Sequence, residues 1–89
     1  MLSDTQIRSA KPTSKAVRLY DERGLYLEVT PSGGRWWRLK YRFDGREKLL
    51  SMGTYPDTSL NAARDKLDRA RELQAQAVDP SDARRAERE

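Results

Sequence analysis

The 89-residue chain contains no cysteine and no histidine. That excludes disulfides, a zinc finger, a redox pair and any nucleophile activated by an imidazole. The carboxylates are scattered or stand beside bases, and no metal-ligand spacing occurs. No catalytic residue, cofactor or metal site is therefore expected. No apolar run approaches the ~18 residues of a membrane span. The N-terminal Met1-Leu-Ser-Asp has no apolar core of a secretory signal. These absences predict a cytoplasmic protein with no membrane partner. Large apolar side chains are also scarce: hydrophobic residues make up 36%, and nine of them are alanine. The length fits one small domain, which buries only ~60–65% of its unfolded surface.

Charge is plentiful. Eighteen Lys and Arg face fourteen Asp and Glu, for a net charge of +4 and a pI near 9.7. A pI above ~9 is compatible with nucleic-acid binding and with a surface that binds nothing. Position is more informative. Residues 1–56 hold 11 basic and 6 acidic side chains, and residues 57–89 hold 7 and 8. Within 35–48 alone, Arg35, Arg38, Lys40, Arg42, Arg46 and Lys48 face only Asp44 and Glu47.

The pattern predicts an α+β domain: a small three- to four-stranded antiparallel sheet, one C-terminal helix packed on one face, and a short N-terminal helical turn. Ser3 to Gln6 fits a capping box for that turn. Residues 16–21 alternate weakly. Residues 25–29 alternate cleanly, with Leu25, Leu27 and Val29 on one side. Residues 36–43 set Trp37, Leu39, Tyr41 and Phe43 on one face and Trp36, Arg38, Lys40 and Arg42 on the other. Asp44-Gly45 is a strong two-residue hairpin signal. It predicts that Phe43 opposes Arg46, Tyr41 Lys48, Leu39 Leu50, and Trp37 Met52. On the reverse face it sets Arg38 against Ser51, Lys40 against Leu49 and Arg42 against Glu47. Strand 25–29 pairs so that Tyr26 and Glu28 join this reverse face. Ser59 is the expected cap of a helix whose stripe runs Leu60, Ala63, Leu67, Ala70 and Ala77, with Leu73 beside it. Its charges are expected to pair along the helix, as Arg64–Asp68 and Asp65–Arg69. Residues 1–78 form the expected domain, and 79–89 read as a charged linker.

One helix covers one side of such a sheet. The other side stays wet and presents basic residues at every second position of one strand. A small sheet is narrow enough to enter the major groove of DNA (~12 Å wide), where Arg and Lys reach guanine O6 and N7. Arg38, Lys40 and Arg42 are the candidate DNA contacts, with Arg18, Trp36 and Arg46 in support. Outward Lys and Arg also serve solubility and discourage edge pairing. Two other readings remain at this point. The sheet could bind single-stranded RNA if Trp36 and Tyr26 stand exposed side by side. A protein partner would need an apolar patch on the outer helix face.

The residues also follow a family pattern. Ala10-Lys-Pro, Gly24-Leu-Tyr-Leu-Glu-Val-Thr-Pro-Ser-Gly-Gly, Trp37-Arg-Leu-Lys-Tyr-Arg, Gly53-Thr-Tyr-Pro, Ser59-Leu-Asn-Ala-Ala-Arg and Asp79-Pro occur in order. The series resembles the N-terminal arm-type DNA-binding domain of prophage and satellite-phage tyrosine recombinases, the integrases. Met52 stands where the family usually has Leu. Ala77 stands where Gly often precedes Asp-Pro, which suggests a slightly longer helix here. The resemblance implies double-stranded arm-type attachment sites as the partner, together with other domains or protomers of an integrase. It implies core-binding and catalytic domains beyond residues 79–89, and a bacterial, nucleoid-associated location. The family's catalytic set includes a histidine, so Tyr20, Tyr26, Tyr41 and Tyr55 are not nucleophile candidates.

Overall fold

The computed structural model describes residues 1–88, and of Arg88 the backbone alone. The order is α1 (Asp4–Ser9), β1 (Val17–Tyr20), β2 (Leu25–Val29), β3 (Arg35–Phe43), β4 (Arg46–Thr54), α2 (Leu60–Ala75) and α3 (Pro80–Arg88). The four strands form one antiparallel sheet in the order β1-β2-β3-β4. This is the expected α+β architecture, with one helix more than the sequence pattern indicates.

The hairpin turn governs the sheet. Asp44 and Gly45 both have positive φ, 52° and 75°, as a type I′ turn requires. The expected pairs Phe43–Arg46, Tyr41–Lys48 and Leu39–Leu50 all form. The Trp37–Met52 pair does not. A bulge sets Met52 and Gly53 against Trp37. Gly53 has a φ of 104°, and a side chain there would collide with the Thr58 hydroxyl. The extra residue still delivers Met52 to the core, because a bulge changes register without removing a side chain.

Leu25, Leu27, Val29, Trp37, Leu39, Tyr41, Leu50 and Met52 form the covered face. Leu60, Ala63, Leu67 and Ala70 of α2 and Leu2 and Ile7 of the N-terminal segment close over it. Trp37 carries its indole proton into this layer and donates it to the Thr58 carbonyl at 2.7 Å. Both predicted helix starts occur. Ser3 and Gln6 form a complete capping box, and Ser59 Oγ accepts from the Ala62 amide at 3.1 Å.

The end of α2 differs from expectation. The helix stops at Ala75, and Ala77 lies in the left-handed region with φ 60°. The Val78 amide donates to Leu73 O at 2.8 Å and the Ala77 amide to Gln74 O at 3.0 Å, the two bonds of a Schellman cap. The backbone thus adopts the geometry that glycine favours although alanine occupies the site. The helix charges also pair outward rather than with one another. Arg64 holds Asp21 at 2.9 Å and Arg23 holds Asp68 at 2.5 Å. Asp21 accepts in addition from the Leu2 amide at 2.9 Å, so one buried carboxylate joins the N-terminus, the end of β1 and α2.

The segment read as a charged linker is helical through Arg88, and Glu89 lies outside the described residues. Its start is anchored inside. Asp79 is 4% exposed. It accepts from the Tyr41 hydroxyl at 2.7 Å and the Ser81 amide at 2.9 Å, and it pairs with Lys48. Pro80 then opens α3, where its missing N–H costs nothing. The polar composition of 79–89 concealed this because the anchor is an ion pair rather than an apolar side chain. Burial alone would raise the Asp79 carboxyl. The bonds from Lys48, Tyr41 and Ser81 outweigh it and hold the group below the usual carboxylate range. Asp21 is lowered chiefly by its bond from Arg64.

Both carboxylates have folded-state pKa values below their unfolded values of ~3.9. Their contribution to stability is therefore present above about pH 4 and lost as pH falls through the folded values. The urea midpoint should drop between pH 5 and pH 2.5, and Asp79→Asn should lower it at pH 7 while flattening that acid limb. An acid limb identical in the variant would remove Asp79 from the account. Ala77→Gly should stabilise the fold by about 1 kcal/mol, by relieving the left-handed alanine. Urea titration of the two proteins measures it.

Candidate nucleic-acid interface

The side of the sheet away from α1 and α2 carries the side chains of opposite parity. Arg18 pairs with Glu28, Tyr20 with Tyr26, Tyr26 with Arg38 and Glu28 with Trp36 across β1, β2 and β3. Across β3 and β4, Arg38 opposes Ser51, Lys40 opposes Leu49 and Arg42 opposes Glu47, as the turn predicts. Five of the six expected site residues share this open face: Arg18, Trp36, Arg38, Lys40 and Arg42. Arg46 does not. It opposes Phe43, and so stands with the covered face, exposed beside the hairpin tip. The reason is parity: Arg46 follows the turn directly and inherits the side of Phe43.

Four cations on this face meet two carboxylates. Glu28 lies between two arginines, 3.8 Å from Arg18 and 3.5 Å from Arg38. Glu47 does not bind Arg42, its cross-strand neighbour, but takes Lys40 at 2.6 Å. Among the described residues Arg42 has no carboxylate partner. Shared or single surface pairs of this kind hold weakly, because water screens them. The cations remain available to an incoming anion.

The aromatics divide differently from expectation. Trp36 is 40% exposed, whereas Tyr26 is 1% exposed despite lying on the open face. The Arg18 guanidinium lies over the Tyr26 ring at 5.1 Å, and the Tyr20 ring stands 5.6 Å away. Tyr26 therefore supports Arg18 and Tyr20 from below and offers no stacking surface. The side-by-side Trp36 and Tyr26 required for binding single-stranded RNA is absent. Beside Trp36, this face exposes Tyr20, at 63%, and Leu49, at 56%. Neither was among the expected site residues. For Leu49 a signal existed: in an alternating strand, the pair Leu49-Leu50 must turn one leucine outward.

The face is thus a shallow cationic surface about four strands wide, roughly 14 Å at 4.8 Å per strand spacing. It has exposed guanidinium and ammonium donors at its centre and apolar side chains among them. Arginine can donate two parallel hydrogen bonds to a base edge or a phosphate, and leucine or an aromatic ring can pack on a methyl group or a sugar. Among the described residues no group of carboxylates or other ligands is arranged to hold a metal ion. Among the described residues no helix is long and apolar enough to cross a membrane.

Residues 2–87 match the family model described as the arm DNA-binding domain. The chain is 46% identical over 86 residues to the integrase of Shigella phage Sf6, covering 97% of this chain and 22% of that protein. The same figures hold for the prophage integrase IntS of Escherichia coli K12. The integrase of Enterobacteria phage P4 is 42% identical over 81 residues, covering 89% of this chain and 18% of that protein. The chain spans about a fifth of the length of the curated relatives it matches.

Proposed function

The chain belongs to the arm DNA-binding domain family, a non-catalytic DNA-binding module, and from that premise we propose that it recognises arm-type duplex sites flanking the attachment core of a phage or prophage integration system. The reading rests on one observation above all: within a DNA-binding family, the uncovered sheet face carries Arg18, Arg38, Lys40 and Arg42 against only Glu28 and Glu47. In this proposal the sheet lies in the major groove with that face toward the bases. Arg38 and Arg42 donate to guanine O6 and N7, with Lys40 between them. On meeting DNA, Arg38 exchanges a shared carboxylate for a base edge, and among the described residues Arg42 has no carboxylate partner to give up. Trp36, Leu49 and Tyr20 pack on sugars and thymine methyls. Arg18 supports the approach from the β1 side. Arg46 contacts a phosphate near the hairpin tip, since its face excludes it from the bases.

The relatives are integrases several times longer, so the proposal extends to a larger enzyme. There, residues beyond 78 lead toward core-binding and catalytic parts, and the work is done on the chromosome in the bacterial cytoplasm. Binding an arm site and a core site through one tethered chain raises the effective concentration of the second site and bridges separated DNA segments.

With ~4–6 phosphates neutralised, a plot of log K against log salt should have a slope near −4 to −5. The probe is a duplex selected by the chain from random DNA and titrated by fluorescence anisotropy. Arg38→Ala and Arg42→Ala should each cost about 1–3 kcal/mol and relax preference at separate base pairs. Single-stranded DNA and RNA of the same sequence should compete poorly. An absence of duplex binding at low salt, or a triple Ala variant at 38, 40 and 42 that binds as the parent does, would overturn the reading.

A further inference from the structure

We propose that the outer edge of β4 and the helix faces beside it form a second DNA contact, in which Lys66, Arg69 and Arg84 clamp the sugar–phosphate backbone that borders the groove. The proposal rests on the reading of the open face as the surface that meets the bases.

Among the described residues the sheet ends at β4. A groove of about 510 Å³ runs along this edge between β4, α2 and α3. Met52, Ala70, Pro80 and Ala83 are among its lining. Lys66, Arg69 and Arg84 stand along it, with Glu87 the one carboxylate residue lining it among the described residues. Two of these cations are seated on the strand edge. Lys66 Nζ donates to Met52 O at 3.2 Å, and Arg84 donates to Ser51 O. Ser51 itself opposes Arg38 on the open face. A cationic track therefore passes from Arg38 around the edge of β4 to Arg84 and Lys66.

The track fits a duplex because of dimensions. Four strands measure about 14 Å across, against a major groove of ~12 Å. A sheet lying there must bring its edge strands against the phosphate walls. Edge carbonyls would repel those phosphates. Here two successive carbonyls are occupied by cationic donors, and donors remain: an ammonium has three N–H groups and a guanidinium five. Among the described residues, none of the three cations has a carboxylate ion-pair partner that a phosphate would have to displace. The alternative occupant, an acidic peptide laid in the groove, would leave the strand-edge seating of Lys66 and Arg84 without a role.

The test uses anisotropy titrations of the selected duplex and of an unrelated duplex from about 50 to 200 mM salt. Lys66→Gln and Arg84→Gln should each make the salt slope less negative by about 1. Each should weaken both duplexes by the same factor, roughly three- to tenfold, because phosphate contacts carry no sequence information. The charge-keeping variants Lys66→Arg and Arg84→Lys should keep the parental slope, which separates charge from any loss of folding. Slopes unchanged in the Gln variants, with duplex binding intact, would overturn the clamp and leave the groove to a protein segment. A factor that differs between the two duplexes would also overturn it, as would charge-keeping variants that behave like the Gln ones. Failure of the parent chain to bind either duplex would instead overturn the DNA reading beneath it.

Discussion

The two-residue turn at Asp44-Gly45 decides which side chains of β3 and β4 stand on the same side of the sheet. A slip of one residue there would turn Leu50 and Met52 to the side of Arg38 and Lys40 and set Leu49 and Ser51 against the core. The turn residues prevent the slip, because both adopt the positive φ that a type I′ turn demands. Everything built on the sheet inherits this choice. The apolar faces of α1 and α2 have one surface to cover, and they cover it. The chain has too few large apolar residues for a second layer, so the opposite face is left to solvent with Arg38, Lys40 and Arg42 on it. The open basic face and the core are two consequences of one register.

Much of this is legible in the residues. The alternation in β2 and β3, the two serine caps and the hairpin pairs up to Arg38 follow from local rules that tertiary structure leaves intact. The departures have physical causes that local rules do not contain. The bulge at Met52 and Gly53 preserves the inward direction of Met52, so the pattern of apolar residues is the same with or without it. The pairing of Arg64 with Asp21 and of Arg23 with Asp68 depends on elements that are distant in sequence. Helical spacing suggests nearer partners that the fold does not use. Parity places Tyr26 on the open face, yet its neighbours Arg18 and Tyr20 cover it. Face follows from parity, whereas exposure depends on what the adjacent strands place on top.

Helix α3 illustrates the same limit. A segment of charges and small residues lacks the apolar stripe by which a docked helix is recognised. It is held instead through Asp79, which ties it to Tyr41 and Lys48 on the margin of the covered face. Such a pair is a weak source of net stability, because desolvating the carboxylate offsets much of the attraction. Its effect is positional. It fixes where the chain leaves the sheet and brings Arg84 to the β4 edge. Buried carboxylates thus serve at both ends of the domain, Asp21 for the N-terminal segment and Asp79 for the C-terminal helix.

We propose that the sheet face left bare by the helices is the face that meets DNA. Backbone amide and arginine side-chain NMR shifts, followed while a selected duplex is added, test it residue by residue. The largest changes should fall on residues of the open face, with Arg38, Lys40, Arg42 and Leu49 foremost, while the outward face of α1 around Thr5 and Arg8 stays unchanged. Shifts concentrated on that helix face, with the open sheet face undisturbed, would contradict it.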